Sequence, residues 1–485
     1  MQGGIFLKPE VMFLSKKEVK LVHEKALEML ENLGMRFEGA EAREYFVKAG
    51  AKEENGIVKI PRSIIEEGLK TMPKRNDFVL YGRTPDKDVK ISREIPSMAA
   101  MTMATHVLDI HTGQRRKATD EDLAMLTKMM ERIDTVTVAS ALITPQDVPM
   151  QSSDWYTWAT SIKNTTKHIT GGAVGKEGVR DAIRMASLAI GSEEEFLKRP
   201  FISFWVLTMP PLRVDENTSN VLMEAARWGV PSVISSGGIL GMTSPMSVES
   251  ALVHTHAEIL ACIALAQLVN PGAPVIYSSF VRGMDMKTMC ITMSSPESII
   301  MKGAMAQLGR YIELPTQMPA NLRDGKILDA QNGFETGMGG AVGALSTDFI
   351  IGMQMDMDLL VDFADLIYSD ECMRILQRLA RPMSFDDETL AYDNMEEVGH
   401  GGNFLESEHT LYNYQEELWT PRVMERGNWE NWQSKGAKDI REVCLAEARK
   451  LYDEVKDVEL LSKDVQNAID AIASQSADKA KNIKR

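Results

Sequence analysis

Apolar and polar positions along the chain follow two rhythms, and the change between them falls near residue 133. Over residues 16–33 the side chains Val19, Leu21, Val22, Ala26, Leu27, Met29, Leu30 and Leu33 recur at helical spacing, and Gly34 ends the run. Residues 40–49 and 61–69 predict two further helices. Gly50 stops the first, and Pro61 opens the second with a fixed φ that suits a first turn. Apolar stretches at 78–81 and 89–91 predict short strands, and Thr119, three residues ahead of Asp122, is placed to cap a helix. Residues 1–132 therefore read as a helical and small-strand region ahead of the main body.

From Ile133 onward, short apolar runs alternate with helical patterns. Runs at 136–143, 168–173, 201–209, 232–235 and 275–280 precede helical stretches at 155–162, 178–190, 217–228, 248–268 and 298–308. Seven or eight such alternations over about 250 residues predict an α/β fold of the closed (β/α)8 TIM-barrel kind. An open doubly wound sheet is the competing fold, but no GxGxxG opens a strand–helix pair. The glycines of 171–175 and 237–242 read as ordinary turns. The barrel domain is expected over 133–420, followed by a C-terminal helical extension over 421–485. That extension holds amphipathic helices at 440–452 and 458–472 and a frayed tail, AKNIKR.

One unit within the barrel, residues 312–353, stands out. A short apolar run ending at Ile312–Pro315 reads as strand, the polar residues 321–326 as loop, and the chain from Leu328 as a helix rich in small residues. Gly333, Gly337, Ala341 and Ala344 lie three or four residues apart, so they predict a helix face that approaches another backbone closely. The apolar run 349–353 follows as the next strand. These two strands are expected to be the sixth and seventh of the barrel, with 321–326 in its mouth, since ligand-binding residues belong in loops that follow the strands.

Composition narrows the function. The net charge of −15 argues against a nucleic-acid surface, and Arg115-Arg116-Lys117 is the longest basic run. The four cysteines are widely spaced with no CxxC pair, which fits free thiols in a reducing cytoplasm. The N-terminal stretch MQGGIFLKPEVMFLSKKE lacks the pattern of a signal peptide, and no uncharged span reads as a membrane segment. The apolar stretch 348–366 carries Asp356, Asp358, Asp362 and Asp365. The 32 methionines read as adaptable packing or as a deformable wall around a bulky ligand.

No nucleophilic triad assembles from the sequence. His400 and His409 flank Glu406 and Glu408, an arrangement open to a metal, a structural hydrogen-bond network or a substrate- or partner-facing site, and no metal is expected. The stronger set lies at strand ends: Phe204, Trp205, Tyr277, Phe280 and Arg282, with Asn321, Arg323 and Asp324 in the 321–326 loop. Each aromatic also suits a core position. Together they would supply aromatic faces and fixed charges for a quaternary ammonium that bears a carboxylate. Arg282 or Arg323 could pair with the carboxylate, and Asp324 could face the cationic end.

Three segments then carry a resemblance that covers nearly the whole chain. DIHTGQRRKATDEDL, LDAQNGFE and GHGGNFLESEHTLYNYQEELWTPRV resemble the trimethylamine methyltransferase family. The resemblance implies a TIM barrel that moves a methyl group from an amine to the cobalt of a corrinoid held by a separate corrinoid-binding protein. No cofactor is then tightly bound to the chain itself. It places the protein in methylamine metabolism, in methanogenesis or acetogenesis, as a cytoplasmic homo-oligomer. It implies catalytic roles for Asp324 and His400, substrate contacts from Gln331 and Glu335 beside the strand-end set, and a partner-facing surface at Glu406 and His409. The trimethylamine branch carries pyrrolysine in the loop that corresponds broadly to 321–326, where this chain has only standard residues. The chain is thus similar to the non-pyrrolysine branch, which demethylates glycine betaine, proline betaine, carnitine or γ-butyrobetaine. The alternatives are another small methylated substrate used by the same corrinoid route, or a non-catalytic scaffold that binds the corrinoid protein.

Overall fold

The computed structural model describes residues 9–91, 95–101 and 104–480. The first eight residues of the N-terminal stretch and the end of the tail lie outside that description. Eight parallel strands form one sheet: β1 (Ser97–Ala99), β2 (Val136–Val138), β3 (Ile169–Gly171), β4 (Ile202–Leu207), β5 (Ser232–Ser236), β6 (Val275–Ser279), β7 (Thr316–Asn321) and β8 (Phe349–Gly352). Their spatial order is their chain order. β8 pairs with β1 through Phe349↔Ser97, and a parallel bridge from Val138 to His168 joins β2 to β3 and closes the ring. A helix follows each strand: α1 (Asp120–Glu131), α2 (Ser153–Asn164), α3 (Gly175–Ile190), α4 (Glu216–Trp228), α5 (Val248–Val269), α6 (Pro296–Tyr311), α7 (Ala330–Ser346) and α8 (Phe363–Ala380). This is the (β/α)8 barrel that the alternation predicts.

The barrel starts earlier than the apolar rhythm suggests. β1 is three residues of small or flexible side chains, Ser97-Met98-Ala99, too short to register as an apolar run. Counting from Val136 therefore shifts every strand by one, and the 312–353 unit supplies the seventh and eighth strands rather than the sixth and seventh. Its first strand is also displaced. Ile312 caps α6 and Glu313 has a left-handed backbone, whereas β7 runs through the polar residues Thr316, Gln317 and Asn321. Gln317 is register-paired with Ser278 and Phe349. A barrel-facing polar side chain hides such a strand from an apolar search.

The small-residue helix also presents a different face. Gly337 has open space around it, while Gly339, Gly340 and Gly343 carry the close approach and are buried with Ala344. A Cβ at Gly339 would overlap the carbonyl oxygen of Ala320 in β7, and one at Gly343 would sit 2.8 Å from the Ala320 Cβ. α7 therefore lies directly on its strand.

The rest of the chain seals the barrel. The hairpin of Val79–Leu80 and Val89–Lys90 contributes Leu80 and Val89, with neighbouring Phe78 and Ile91, to the cluster that holds the inward-facing Val138, Val233, Ile276 and Phe349. The three front helices occur at Lys16–Asn32, Ala40–Lys48 and Arg62–Thr71. Between them lies a small sheet that accepts Arg213–Val214 as a parallel strand. The helix Ile440–Val455 packs on α8, and Lys463–Ala480 packs on α2 and α3, where the Ser476 hydroxyl donates to Asp181 at 2.6 Å. Among the described residues one helix, α5, is long and apolar enough to cross a membrane, but 83% of that window is buried inside the fold, as a core helix is.

Candidate active site

A cavity of about 430 Å³ opens at the C-terminal ends of the strands. Met101 follows β1 into it. Leu207 and Thr208 come from the end of β4, Gly237 from β5, Phe280 and Arg282 from β6, and Met357 and Asp358 from β8. Ile291 and Met293, on the excursion between β6 and α6, form a further wall. The cavity is mainly apolar with few charges, as small-ligand sites are.

Strand alternation decides which predicted aromatics reach this space. Successive side chains point to opposite faces, so Phe204 and Trp205 cannot share a side. Trp205 belongs to the interior cluster and meets Phe280 edge to face at 5.9 Å between ring centroids. Phe204 is fully buried on the outer face, packed on Trp158 of α2 at 5.5 Å. Tyr277 likewise faces outward: its hydroxyl is 2.8 Å from Nδ1 of His256 in α5. Expected as substrate contacts, Phe204 and Tyr277 are core residues between strand and helix. Of the predicted aromatics, Phe280 lines the cavity, and Trp205 packs against it inside the barrel.

The charges sort in the same way. Arg282 lines the cavity; burial holds its pKa down, opposed by the nearby Asp358 carboxylate. Arg323, the other expected carboxylate partner, is fully buried and committed elsewhere. Its Nη1 donates to Asp365 at 2.8 Å, to Asn332 at 3.1 Å and to Thr336 at 3.2 Å, and its Nη2 donates to the second Asp365 oxygen. Its Nη1–Nη2 edge is taken by that carboxylate, and although Nε has no partner, Arg323 is not among the residues that line the cavity. Its own backbone carbonyl accepts from Met357 N at 3.0 Å, and Gly325 O accepts from Asp356 N at 2.9 Å. The buried pair thus ties the loop after β7 to the loop after β8.

Asp324 is also engaged internally. One oxygen accepts from Met293 N at 2.8 Å and the other from Ser294 N at 3.2 Å. Burial raises its pKa, against those two hydrogen bonds. Glu335 accepts from the backbone nitrogens of Asp324 and Gly325, and Gln331, exposed on α7, donates to Glu335 at 2.7 Å. These residues shape the loop rather than line the cavity. Asn321, at the end of β7, is buried with its Oδ1 unpartnered, close over Gly352 of β8.

His400, Glu406 and His409 lie on a segment between α8 and the C-terminal helices. His400 and Glu406 are exposed, and none of the three lines the cavity. The helices Asp387–Leu390, Tyr392–Val398 and Glu408–Glu417 on this arm bury no residue, and Leu405 is 81% exposed. Among the described residues no three His, Cys, Asp or Glu side chains gather as metal ligands.

Two charged residues were absent from the expected set. Asp358 is buried on the cavity wall with Oδ1 unpartnered, and burial raises its pKa well above the carboxylate range, opposed by Arg282 and Lys302. Lys302 of α6 is buried behind that wall. Its ammonium donates to Met293 O, and burial lowers its pKa to about 7. Asp358 had left a trace in the sequence, as one of the acids in the apolar stretch 348–366; Lys302, within a helical pattern, left none.

Residues 6–479 match the sequence model of the family described as trimethylamine methyltransferase (MTTB). The chain belongs to the trimethylamine methyltransferase (MTTB) family. It is a methyltransferase. Among its relatives, trimethylamine methyltransferase MttB of Desulfitobacterium hafniense is 31% identical over 90% of this chain and 88% of its own length. A glycine betaine methyltransferase of the same species is 30% identical over 88% of this chain and 89% of that protein. The crystal structure of the Methanosarcina barkeri monomethylamine methyltransferase (MtmB) superposes with a TM-score of 0.53, covering 91% of this chain and 88% of that one at 11% identity. That likeness concerns the fold of the MTTB chain alone.

Proposed function

We propose that this MTTB methyltransferase removes a methyl group from a quaternary amine that carries a carboxylate, of the glycine betaine, proline betaine, carnitine or γ-butyrobetaine type. The acceptor is the corrinoid of a separate protein. One observation carries the reading: Arg282 stands in an apolar cavity beside Phe280, its buried Nε without a hydrogen-bond partner. A fixed cation in such surroundings suits a substrate carboxylate, and Phe280, braced edge to face by Trp205, supplies aromatic surface for the ammonium. The similarity to a glycine betaine methyltransferase supports the same substrate class.

The chemistry asks little acid or base work of the chain. As the methyl carbon–nitrogen bond breaks, its electron pair stays on nitrogen and leaves a neutral tertiary amine, so no proton need be delivered. A reduced corrinoid supplies the Co(I) nucleophile when the partner docks. The residues of the cavity hold the amine, point one methyl outward and keep water away. This accords with a site in which Asp324 is held by backbone nitrogens and His400 lies off the cavity. We assign the exposed arm, with Glu406 and His409, to docking of the corrinoid protein or to assembly with further copies of the chain.

Incubation of the purified protein with reduced corrinoid partner and each betaine tests the proposal: corrinoid methylation by at least one is expected, and none across the panel overturns it. If a smaller amine without a carboxylate were the substrate, Arg282→Ala would leave turnover unchanged. A loss of turnover on the betaine favours the present reading.

A further inference from the structure

Asp358 lies in an unusual piece of backbone. Asp356, Met357 and Asp358 are three consecutive non-glycine residues with positive φ, at 52°, 58° and 74°. Side-chain-bearing residues avoid this region, and a run of them persists only where the surroundings hold it. Here the hold is visible: Asp356 N donates to Gly325 O and Met357 N to Arg323 O, while Arg323 is fixed by Asp365. The result carries the Asp358 carboxyl into the cavity wall, 4% exposed, with Oδ1 unpartnered.

An unpaired buried carboxyl costs free energy unless something completes it. Arg282 lines the same cavity, also with an unpartnered nitrogen, yet the two do not close into an ion pair within 4.0 Å. Lys302 does not complete it either: its ammonium donates to Met293 O and forms no ion pair with Asp358 within 4.0 Å. The cavity therefore holds one acid and one base that face the same space without an ion pair between them, with Phe280, Met357 and Leu207 also on its walls.

We propose that Asp358 and Arg282 form a charge frame that selects a zwitterion, with Asp358 facing the quaternary ammonium and Arg282 the carboxylate. This rests on the reading of the protein as a quaternary-amine methyltransferase and deepens it by naming the acid that recognises the cationic end. It also explains the strained turn, which holds a carboxyl where neither Arg282 nor Lys302 neutralises it directly. A ligand that carries both charges meets both walls at once: its ammonium favours the carboxylate form of Asp358 against the burial that disfavours it, and its carboxylate meets Arg282, whereas a cation or an anion alone engages one wall only.

Calorimetric binding to the full chain, without the corrinoid partner, separates the two levels. The probes are the betaine panel, tetramethylammonium as a cation alone, and 3,3-dimethylbutanoate, which copies the shape of glycine betaine with an uncharged carbon in place of nitrogen. The wild type should prefer a betaine over both single-charge probes by at least tenfold. Asp358→Asn and Asp358→Gly, two residues that tolerate positive φ, should each lose at least tenfold in betaine affinity while binding of 3,3-dimethylbutanoate is kept or improved. If both folded variants bind the betaine like the wild type, the role of Asp358 is overturned while the functional reading stands. If the wild type binds no betaine of the panel, the functional reading itself falls.

Discussion

Arg323 and Asp365 meet as a fully buried, two-pronged ion pair beneath the loops that follow β7 and β8. Taking two charges out of water is costly, and the pair repays it only while both partners and their added hydrogen bonds are present. Arg323→Met should therefore lower stability by about 3–5 kcal/mol, because it strands Asp365. The double change Arg323→Met with Asp365→Leu should recover most of that loss in urea unfolding. Substrate affinity should stay impaired in the double variant, since an apolar pair no longer fixes residue 323 through Asn332, Thr336 and Asp365, and the carbonyl that holds Met357 N is then less firmly placed.

The inner and outer faces of β4 and β6 give opposite expectations for aromatics that are neighbours in sequence. Phe280→Leu should weaken betaine binding by roughly tenfold with a modest effect on melting, given about 1–2 kcal/mol for a desolvated cation–aromatic contact, and Trp205→Leu, which removes only the brace behind Phe280, should weaken it less. Phe204→Leu and Tyr277→Phe should leave binding unchanged and lower stability, the latter because Nδ1 of His256 loses its partner. Binding and thermal melts on the same four variants check the division.

Much of the barrel was legible because buried parallel strands and amphipathic helices leave different periods in the sequence. β1 was not, since three residues of low apolar content carry no period. At the site, the loops were found but the side of each strand was not. Period two separates Phe204 from Trp205, yet nothing local says which parity faces the barrel axis; that is fixed by helices distant in sequence. Arg323 illustrates the same limit, because its partner Asp365 lies 42 residues on. Asp358 depended on a left-handed turn that no glycine announces.

The glycines of α7 offer a sharp contrast. Gly337→Ala should stabilise the protein by about 0.5–1 kcal/mol, since its surroundings are open and glycine disfavours helix. Gly339→Ala should be strongly destabilising, because the new methyl overlaps the Ala320 carbonyl and must push helix and strand apart. Denaturant unfolding of the two single variants would reverse this order only if α7 does not rest on β7.

His168, at the seam between β2 and β3, is fully buried and lies 2.9 Å from both Tyr81 O and the Ser203 hydroxyl. Burial lowers its pKa from 6.5 to about 4. The unfolded chain binds this proton first, so stability attributable to the neutral ring falls as pH drops below 6.5 and levels off below about 4. The loss across that window amounts to about 3 kcal/mol. His168→Gln should show a shallower decline of unfolding free energy between pH 6.5 and 4 than the wild type; parallel curves would contradict it.

The pairing of Ser97 with Phe349 has a consequence for how the molecule comes into being. β1 emerges early in synthesis, yet its neighbour on one side is roughly 250 residues away, a separation that makes the closing contact slow in entropic terms. Until β8 arrives, β1 presents an open edge and the interior remains wet. Chain synthesis halted before Phe349 should yield a species that binds hydrophobic dyes and aggregates, and the passage to a sealed barrel should coincide with release of β8.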